Sequence, residues 1–239
     1  MKALIDADNL AFACAASAED QDVGIAYARA NDMVENILHH SGASSYELWL
    51  SGGKNFRYSI YPEYKANRLD AVRPRHEKAV KDYLTEHWQA NWTDGIEADD
   101  MLGIRQTEDT ILCHLDKDIN QIAGWHYNWE LSRLGKIIRE RRKYFVTPEE
   151  ADRYFYYQLL IGDNTDNIKG VVGIGPKKAE SILSSTDRSG WSDAVRNCFS
   201  CEEELELNAA CIYIWRKPND SWKSMFQSPE RSMFAKKES

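Results

Sequence analysis

The sequence predicts an α/β fold with a mostly parallel sheet, followed by a C-terminal region that is helical. Short apolar runs typical of buried strands alternate with segments whose apolar residues recur at the spacing of a helix. From Pro148 onwards the helical pattern continues almost to the end of the chain. A helix between two strands carries the chain back across the sheet, so this alternation favours parallel strands.

The core elements follow from this pattern in chain order. Apolar runs that end at polar residues predict strands at 3–8, 46–50 and 110–115. A stripe of apolar residues at helical spacing predicts a helix at 23–40. A second helix is predicted to start at Pro74, because proline is favoured in the first turn. A third is predicted at 98–104, ADDMLGI, where acids occupy the first turn.

The helical region opens with a start signal. Thr147 is a predicted N-cap, Pro148 occupies the first helical position, and Glu150 stands three residues after the cap, which is the pattern of a capping box. We therefore predict a core at 1–147 and a helical region at 148–239.

Composition indicates a folded protein without a membrane span. Hydrophobic residues make up 43% of the 239 residues, but no apolar run approaches the ~20 residues that a span needs. The first residues do not resemble a signal peptide. Five cysteines, an odd number, indicate free thiols in a reducing cytoplasm, and the lone CxxC at 198–201 has no second pair that would complete a zinc site.

The net charge of −8 taken alone argues against a nucleic-acid partner, which usually meets a basic face. Basic residues nevertheless cluster at 54–68, 73–81 and 136–143. If the acids are gathered in one place to bind cations, the net charge no longer indicates the partner.

Carboxylates form four short clusters, each at the end of a predicted element. In a parallel sheet the carboxyl ends of the strands share one edge, where ligands bind. Carboxylates meeting there repel unless they take up protons or share divalent cations, and an oxygen-only ligand set suits Mg²⁺ or Mn²⁺. One such cluster is a common surface feature, so the prediction rests on the four together. The candidate ligands are Asp6, Glu97, Asp99, Asp100, Asp116, Asp118, Asp163 and Asp166, with Asp8 ranked below them.

The segment GIGPKKA at 173–179 predicts a turn that holds phosphate. Gly173 and Gly175 permit tight backbone geometry, and amides at the start of the next helix can face an anion. Lys177 and Lys178 add positive charge without reading base sequence. An ordinary turn between helices is the alternative.

The loop at 51–68 interleaves aromatic side chains with cations, a combination that suits stacking on unpaired bases and neutralising phosphates. The residues concerned are Phe56, Arg57, Tyr64, Lys65 and Arg68. A solvated charged loop is the alternative.

Five motifs in order resemble the 5′–3′ exonuclease and flap endonuclease family, above all its small phage-type members and the nuclease domain of bacterial DNA polymerase I. They are LIDADNL, YPEYKANR, GIEADDMLG, HLDKDINQI and GDNTDNIKGVVGIGPKKA, which together span about residues 3–185. The resemblance implies a PIN-like nuclease core, a helical arch at about 62–90, and a helix–three-turn–helix DNA-binding region with its hairpin turn at 170–180.

The resemblance also implies two divalent metal ions. Its motifs assign Asp6, Glu97, Asp99, Asp100 and Asp116 to the first ion, and Asp118, Asp163 and Asp166 to the second. Many members carry a further Asp after the second core strand, where this chain has Ser51.

The same motifs imply roles outside the metal ligands. Lys65 and Arg68 would reach the scissile phosphate, and Tyr64 would stack on a base. Arg57 and the hairpin-turn residues would contact DNA. The family's hairpin turn also often holds K⁺ through backbone carbonyls, which makes Val172 and Ile174 the candidates here.

The implied function is hydrolysis of DNA phosphodiesters near 5′ ends or 5′ flaps by a two-metal mechanism, in DNA replication or degradation. The expected partners are DNA and the RNA strand of an RNA–DNA hybrid. We expect a monomer in the cytoplasm of a bacterium or a phage-infected cell. Two alternatives stay open: a PIN-type ribonuclease, and a non-catalytic DNA-binding protein that keeps the hairpin turn.

Overall fold

The computed structural model describes residues 1–133 and 136–226, with the backbone alone at Arg133. Its strands are β1 (Lys2–Asp6), β2 (Ser45–Leu50), β3 (Asn91–Trp92), β4 (Thr110–Cys113), β5 (Gly124–Asn128), β6 (Leu131–Arg133), β7 (Lys136–Arg139), β8 (Arg142–Val146), β9 (Gly162–Asp163) and β10 (Ile168–Lys169). Its helices are α1 (Ala7–Ser17), α2 (Val23–Ser41), α3 (Phe56–Ile60), α4 (Glu77–Trp88), α5 (Ala98–Arg105), α6 (Pro148–Ile161), α7 (Pro176–Ser184), α8 (Trp191–Arg196) and α9 (Glu202–Ile212).

A central sheet runs in the order β3-β2-β1-β4-β5-β8, and every neighbouring pair is parallel except β5 with β8. In its middle, Ile5 of β1 lies opposite Leu48 on one side and Cys113 on the other. The predicted parallel sheet is confirmed. Because the strands are parallel, the residues that follow β1, β2, β4 and β5 meet at one edge.

Successive residues of β1 point to opposite faces of the sheet and enter different cores. Ile5 packs in a cluster with residues of α1, α2 and α4, among them Leu10, Val34 and Leu84. Leu4 packs on the other face with Leu102 of α5, Leu112, and Ile214 from the C-terminal part of the chain. The sheet is therefore covered on both faces, as a parallel sheet requires.

Helices α6 to α9 form a third cluster around Phe155, Leu159 and Leu205. The predicted capping box at the start of α6 is present: the Glu150 amide donates to Thr147 Oγ1, and the Thr147 amide donates to the Glu150 carboxylate. None of the described helices has both the length and the apolar character needed to cross a membrane.

Three predicted boundaries are wrong, including the end of β4, which lies at Cys113 rather than at residue 115. β1 ends at Asp6 rather than at residue 8, because the Asp6 carboxylate accepts the amides of Asp8 and Asn9 and so caps α1. Helix α4 begins at Glu77 rather than at Pro74, because the chain first makes a turn in which the Glu77 amide donates to the Pro74 carbonyl.

The range 62–90 does not form a helical arch. Its second half, α4, lies against α1 and α2 with Val80 and Leu84 fully buried, so it belongs to the core. Its first half contains a single 3₁₀ turn, Ala66–Arg68, and otherwise no regular structure. We call residues 62–76 the bridge segment, since it links α3 to α4 past the acidic edge of the sheet.

Candidate active site

Carboxylates from separate parts of the chain line one open cleft of about 690 Å³ at the carboxyl edge of the sheet. The predicted ligands in this cleft are Asp6, Glu97, Asp99, Asp116, Asp118 and Asp166. Asp163 lines an adjoining cavity together with Glu97, Asp99, Asp118 and Asp166. The fold thus brings together acids that the sequence separates by up to 160 positions, as the edge of a parallel sheet predicts (6 to 166).

Asp6 and Asp99 are both buried among other acids. Burial, followed by the charge of Asp8 and a smaller contribution from Asp116, raises the pKa of Asp6 to about 7. Burial, followed by the charges of Asp6 and Asp116, raises the pKa of Asp99 well above its usual range. These carboxylates are held where their ionised forms repel one another, an arrangement that a bound cation would relieve.

Asp118 forms a second centre of crowding. Its amide donates to Asp116 Oδ1 at 2.9 Å, and Gln158 Nε2 donates to Asp118 Oδ1 at 2.6 Å. Burial, then the charges of Asp116 and Asp163, raise the pKa of Asp118 to about 8.

Asp163 is held by backbone amides. Its Oδ1 accepts the amides of Thr165 at 2.6 Å and Asp166 at 3.3 Å. Burial opposes ionisation, but the hydrogen bond from Asp118, the charge of Lys117 and these amides lower the pKa of Asp163 overall. Asp163 Oδ2 is buried and accepts no hydrogen bond, with Lys117 Nζ 3.6 Å away. An ionised oxygen with no donor is what a metal ligand presents.

Glu97 and Asp166 are paired with cations of the bridge segment. Lys65 Nζ contacts Glu97 and lies 3.7 Å from Asp166, and Arg68 pairs with Asp166. Burial opposes ionisation of Glu97, yet the charges of Lys65 and Arg57 lower its pKa overall. Lys65 adopts a left-handed backbone conformation with φ of 57°, which is uncommon for a side chain of this kind. The bridge segment therefore holds two cations over two of the acids.

The stacking role predicted for Tyr64 is wrong. Its side chain is 2% exposed, and its hydroxyl bonds Glu97 at 2.9 Å and Asp166 at 2.8 Å. Tyr64 therefore positions two carboxylates rather than a base. The exposed aromatic next to it is Tyr58, which lines the cleft, is 47% exposed and meets the Tyr64 ring edge-on at 5.5 Å.

The DNA contact predicted for Arg57 is also wrong, and Asp100 does not reach the cleft. Arg57 is 2% exposed and Asp100 is fully buried. The guanidinium binds both oxygens of Asp100 at 2.6 and 2.9 Å, and it donates to the carbonyls of Cys211 at 2.8 Å and Tyr213 at 2.7 Å. Asp100 accepts two further amides, from Glu97 and Trp215. Its oxygens are therefore occupied by a structural network.

Ser51 replaces an acid without leaving a gap. Its hydroxyl accepts the Ala98 amide at the start of α5, and its own amide donates to Asp8 Oδ2 at 2.8 Å. The other oxygen of Asp8 accepts from Lys81 of α4 at 2.6 Å. Asp8 thus joins the ends of β1 and β2 to α4, with one contact on each carboxylate oxygen.

The donor set fits Mg²⁺ or Mn²⁺ better than a metal that binds through preformed cages. Across residues 1–133 and 136–226, no three His, Cys, Asp or Glu side chains already converge on a single point. Mg²⁺ keeps several waters and needs few protein oxygens, so crowded but unconverged carboxylates suit it. The orphaned Asp163 Oδ2 and the raised pKa of Asp6 and Asp118 are consistent with this.

The predicted hairpin turn lies between β10 and α7. Gly173 has φ of 76°, a conformation that favours glycine, and the Ile174 amide closes a turn onto the Val171 carbonyl. Lys177 and Lys178 are exposed in the first turn of α7. Val172 is 94% exposed at the tip.

The turn is tied to the acids through a close crossing of two glycines. A Cβ at Gly162 would lie 2.2 Å from the Gly170 nitrogen, and one at Gly170 would lie 2.2 Å from the Ile161 carbonyl carbon. Asp163 directly follows this crossing, and the hairpin turn follows Gly170.

Several cleft residues escaped sequence reasoning. Phe12 and Tyr58 line the cleft with exposed rings, Lys81 binds Asp8, and Gln158 orients Asp118. Phe12 follows Asp6 and Asp8 on α1, so its place after an acidic strand end was a usable signal. No such signal marked Lys81 or Gln158, because their partners, Asp8 and Asp118, lie 73 and 40 residues away in the sequence.

The chain resembles known nucleases in sequence. It is 28% identical over 180 residues to the flap endonuclease Xni of Shewanella woodyi, covering 71% of each chain. It is 31% identical over 189 residues to the 5′–3′ exonuclease of Buchnera aphidicola, covering 71% of this chain and 62% of that one. It is 31% identical over 149 residues to DNA polymerase I of Chloroflexus aurantiacus, where the match covers 55% of this chain but 16% of the polymerase. No protein-family model matches the chain.

Solved structures share the fold. The 5′-exonuclease of bacteriophage T5 with bound zinc superposes with a TM-score of 0.64 at 20% identity, covering 89% of each chain. The T5 flap endonuclease in a pseudo-enzyme–product complex with DNA and metal ions superposes with a TM-score of 0.63 at 18% identity, covering 94% of this chain and 96% of that one.

Proposed function

We propose that this chain, which resembles 5′–3′ exonucleases and flap endonucleases in sequence, hydrolyses DNA phosphodiesters near 5′ ends or at 5′ flaps with the help of divalent metal ions. The observation that carries the proposal is the crowding of Asp6, Asp99 and Asp118 in one cleft, where burial and the charges of neighbouring acids raise each pKa. Such a cleft is costly unless cations occupy it.

We assign the ligands to two groups. Asp6, Glu97, Asp99 and Asp116 would hold one ion, and Asp118, Asp163 and Asp166 would hold the other; the charge of Asp116 acts on both groups. Mg²⁺ or Mn²⁺ bound there would activate a water and stabilise the leaving oxygen. Asp100 is left out of this assignment because Arg57 occupies both of its oxygens.

The bridge segment supplies the positive charge that the substrate phosphate needs. Lys65 and Arg68 pair with Glu97 and Asp166 at the rim of the cleft. If Glu97 and Asp166 were to hold metal ions, Lys65 and Arg68 would be free to face the phosphate, where charge grows in the transition state. Tyr64 keeps Glu97 and Asp166 in place through its hydroxyl.

The C-terminal helices hold the duplex. The exposed lysines of α7 and the amides at its start suit a phosphate, with Gly173 and Gly175 giving the backbone close access. Backbone carbonyls near Val172 and Ile174 are the proposed K⁺ ligands. We assign the protein to DNA replication or degradation, acting as a monomer in a bacterial or phage-infected cytoplasm, with the RNA strand of a hybrid as a second substrate.

Cleavage of a 5′-labelled flap, a nicked duplex and a blunt duplex tests the proposal. We expect cutting in Mg²⁺ and none in EDTA, and we expect replacement of Asp163 and Asp166 by Asn to reduce the rate by at least about 10²-fold while DNA binding is retained. Full activity under chelation would contradict metal dependence.

The same substrates separate the two alternatives. Cutting confined to RNA would favour a ribonuclease, which uses the same acids. An intact protein that binds these DNAs but cuts none of them under any metal condition would favour the non-catalytic DNA-binding protein.

A further inference from the structure

A basic hairpin projects beside the cleft, and the function proposed above does not use it. We use this name for residues 136–143, with the sequence KIIRERRK, in which β7 pairs with β6 and the start of β8 pairs with β5. These eight residues carry five cations and one carboxylate in a chain whose net charge is −8, and all eight are exposed. Such a concentration of one charge on an acidic protein marks a surface for a polyanion.

The base of the hairpin is fixed to the acid-bearing edge of the sheet. Arg139 Nη1 donates to the Leu115 carbonyl at 2.6 Å, and Leu115 directly precedes Asp116. Asn128, the last residue of β5, donates from Nδ2 to the His114 carbonyl at 2.6 Å. A polyanion held in the cleft at Asp116 is therefore within reach of this ribbon.

Neither face of the hairpin is explained by packing. Consecutive strand residues point to opposite faces, yet Ile137 is 57% exposed and Ile138 is 65% exposed. Among the described residues, no carboxylate lies within 4.0 Å of the side-chain nitrogens of Lys136 or Arg142. The Arg142 guanidinium lies over the Tyr144 ring instead, 4.7 Å from its centroid. These two cations keep their charge available to a partner.

We propose that the basic hairpin binds the phosphate backbone of the nucleic acid strand that leaves the cleft. This inference rests on the proposed function, because it takes a nucleic acid as the occupant of the cleft. Four residues of β7 span about 13 Å, which is the axial length of about four nucleotides of duplex DNA at ~3.4 Å each. Since cations and not base-reading groups line the ribbon, the contact is independent of sequence.

The salt dependence of binding tests this proposal. The probes are a fluorescent 5′-flap DNA, its duplex without the flap and a single strand, all in EDTA so that cleavage plays no part. We expect Lys136→Gln combined with Arg142→Gln to make the slope of log K against log salt concentration shallower by about 1.4 to 1.8, from ~0.7 per single-strand contact and ~0.9 per duplex contact. The probe that shows the change identifies which strand the hairpin holds.

The matched control removes two charges from the opposite end of the sheet. Lys2 starts β1 and Arg105 ends α5, and both pair with Glu47. Lys2→Gln combined with Arg105→Gln should leave the slope unchanged. Equal slopes for the hairpin variant and the unmodified protein on all three probes would overturn the proposal, and so would equal changes in both variants.

This test is separable from the proposed function. If no DNA is cut in Mg²⁺ while the hairpin variant still loses slope, the nuclease assignment fails and the binding surface stands. If DNA is cut at 5′ ends and the hairpin variant binds as the unmodified protein does, the nuclease assignment stands and the proposed binding surface fails. Thermal melting of each variant confirms that a lost contact is not a lost fold.

Discussion

Two adjacent carboxylates at the start of α5 have opposite environments. Asp99 lies among other acids, which raise its pKa together with burial, whereas Asp100 is fully buried against the Arg57 guanidinium. The fold holds Asp99 close to carboxylates that repel it, whereas Asp100 stabilises the fold through its ion pair with Arg57.

Replacing these neighbours should therefore have different effects on stability. In EDTA we expect Asp100→Asn to lower the free energy of unfolding by about 3–5 kcal/mol, because it leaves the Arg57 charge buried without its partner. Asp99→Asn should not lower it, since it removes a group that its neighbours repel. Urea denaturation measures both, and equal losses would contradict the assignment of Asp100 to a structural network.

A second prediction at this scale separates Lys65 from the metal ligands. Lys65→Met should reduce kcat by about 10²–10³-fold, because it removes a cation that would face the developing charge. The Mg²⁺ concentration that gives half-maximal activity should not rise. Lys65 pairs with Glu97, so it competes with the metal ion for this carboxylate and does not itself bind the ion. A parallel rise in that concentration would make Lys65 a support of the metal site instead.

Sequence reasoning identified residue types well and partners poorly. The acids of the cleft were predictable because strand ends meet at one edge and because each acid stands at an element end. The burial of Arg57, Tyr64 and Asp100 was not, since the Arg57–Asp100 pair spans 43 residues and the Tyr64–Asp166 contact spans 102. A cation in a polar stretch of sequence is predicted to be exposed unless the carboxylate that pairs with it in the fold is known.

At the scale of elements, the crossing of Gly162 and Gly170 sets where Asp163 stands. Gly162 has φ of 72° and leaves no room for a Cβ against the Gly170 nitrogen. The chain passes through this crossing between α6 and the hairpin turn, so the crossing links Asp163 to the turn at Gly173.

Gly162→Ala should lower both stability and metal affinity. Gly42 provides the control, because it has a similar φ of 74° but open space around a Cβ. We expect Gly42→Ala to cost about 1–2 kcal/mol for the left-handed backbone alone, and Gly162→Ala to cost more. Mg²⁺ titration should show weaker binding for the Gly162 variant only. Unchanged Mg²⁺ affinity there would mean that the crossing does not control Asp163.

Helices whose apolar residues recur at a regular spacing were predicted, whereas strands that depend on pairing with a distant part of the chain were not. Helix α2 and the capped start of α6 carry their own signals in spacing and caps. The antiparallel pairing of β8 with β5 and the β6–β7 ribbon had no such signal, because exposed basic residues such as Arg142 are unusual in strands. The helical arch at about 62–90 is what the resemblance implies, and α4 by itself has only the pattern of an amphipathic helix.

At the scale of the whole molecule, acids and histidines give opposite pH dependences. The pKa of Asp6 is raised to about 7 and that of Asp118 to about 8, so each folded group keeps a proton that the unfolded chain has released. Their contribution to stability is complete below pH ~4 and is lost as the pH rises through these values. Burial lowers the pKa of His114 to about 3 and of His126 to about 4, and their contribution is lost only as the pH falls below ~6.5.

Between about pH 6.5 and about pH 8 the acids alone should decide the trend. We expect the free energy of unfolding in EDTA to fall by about 1–3 kcal/mol over this range. Excess Mg²⁺ should stabilise the protein, and more so at the higher pH, because it binds the carboxylates only after they have lost their protons. Urea denaturation at both values, with and without Mg²⁺, checks this. A stability in EDTA that increases with pH would contradict the crowding of the acids.

The burial of Arg57 also limits how this protein can be recombined with its relatives. Its guanidinium reaches the Cys211 and Tyr213 carbonyls, 154 and 156 positions further along the chain. A chimera that exchanged everything after residue 147 would have to present carbonyls at both places, or a guanidinium would be sealed inside without acceptors. The two parts of the chain therefore have to be exchanged together, unless the replacement supplies acceptors for Arg57 at both places.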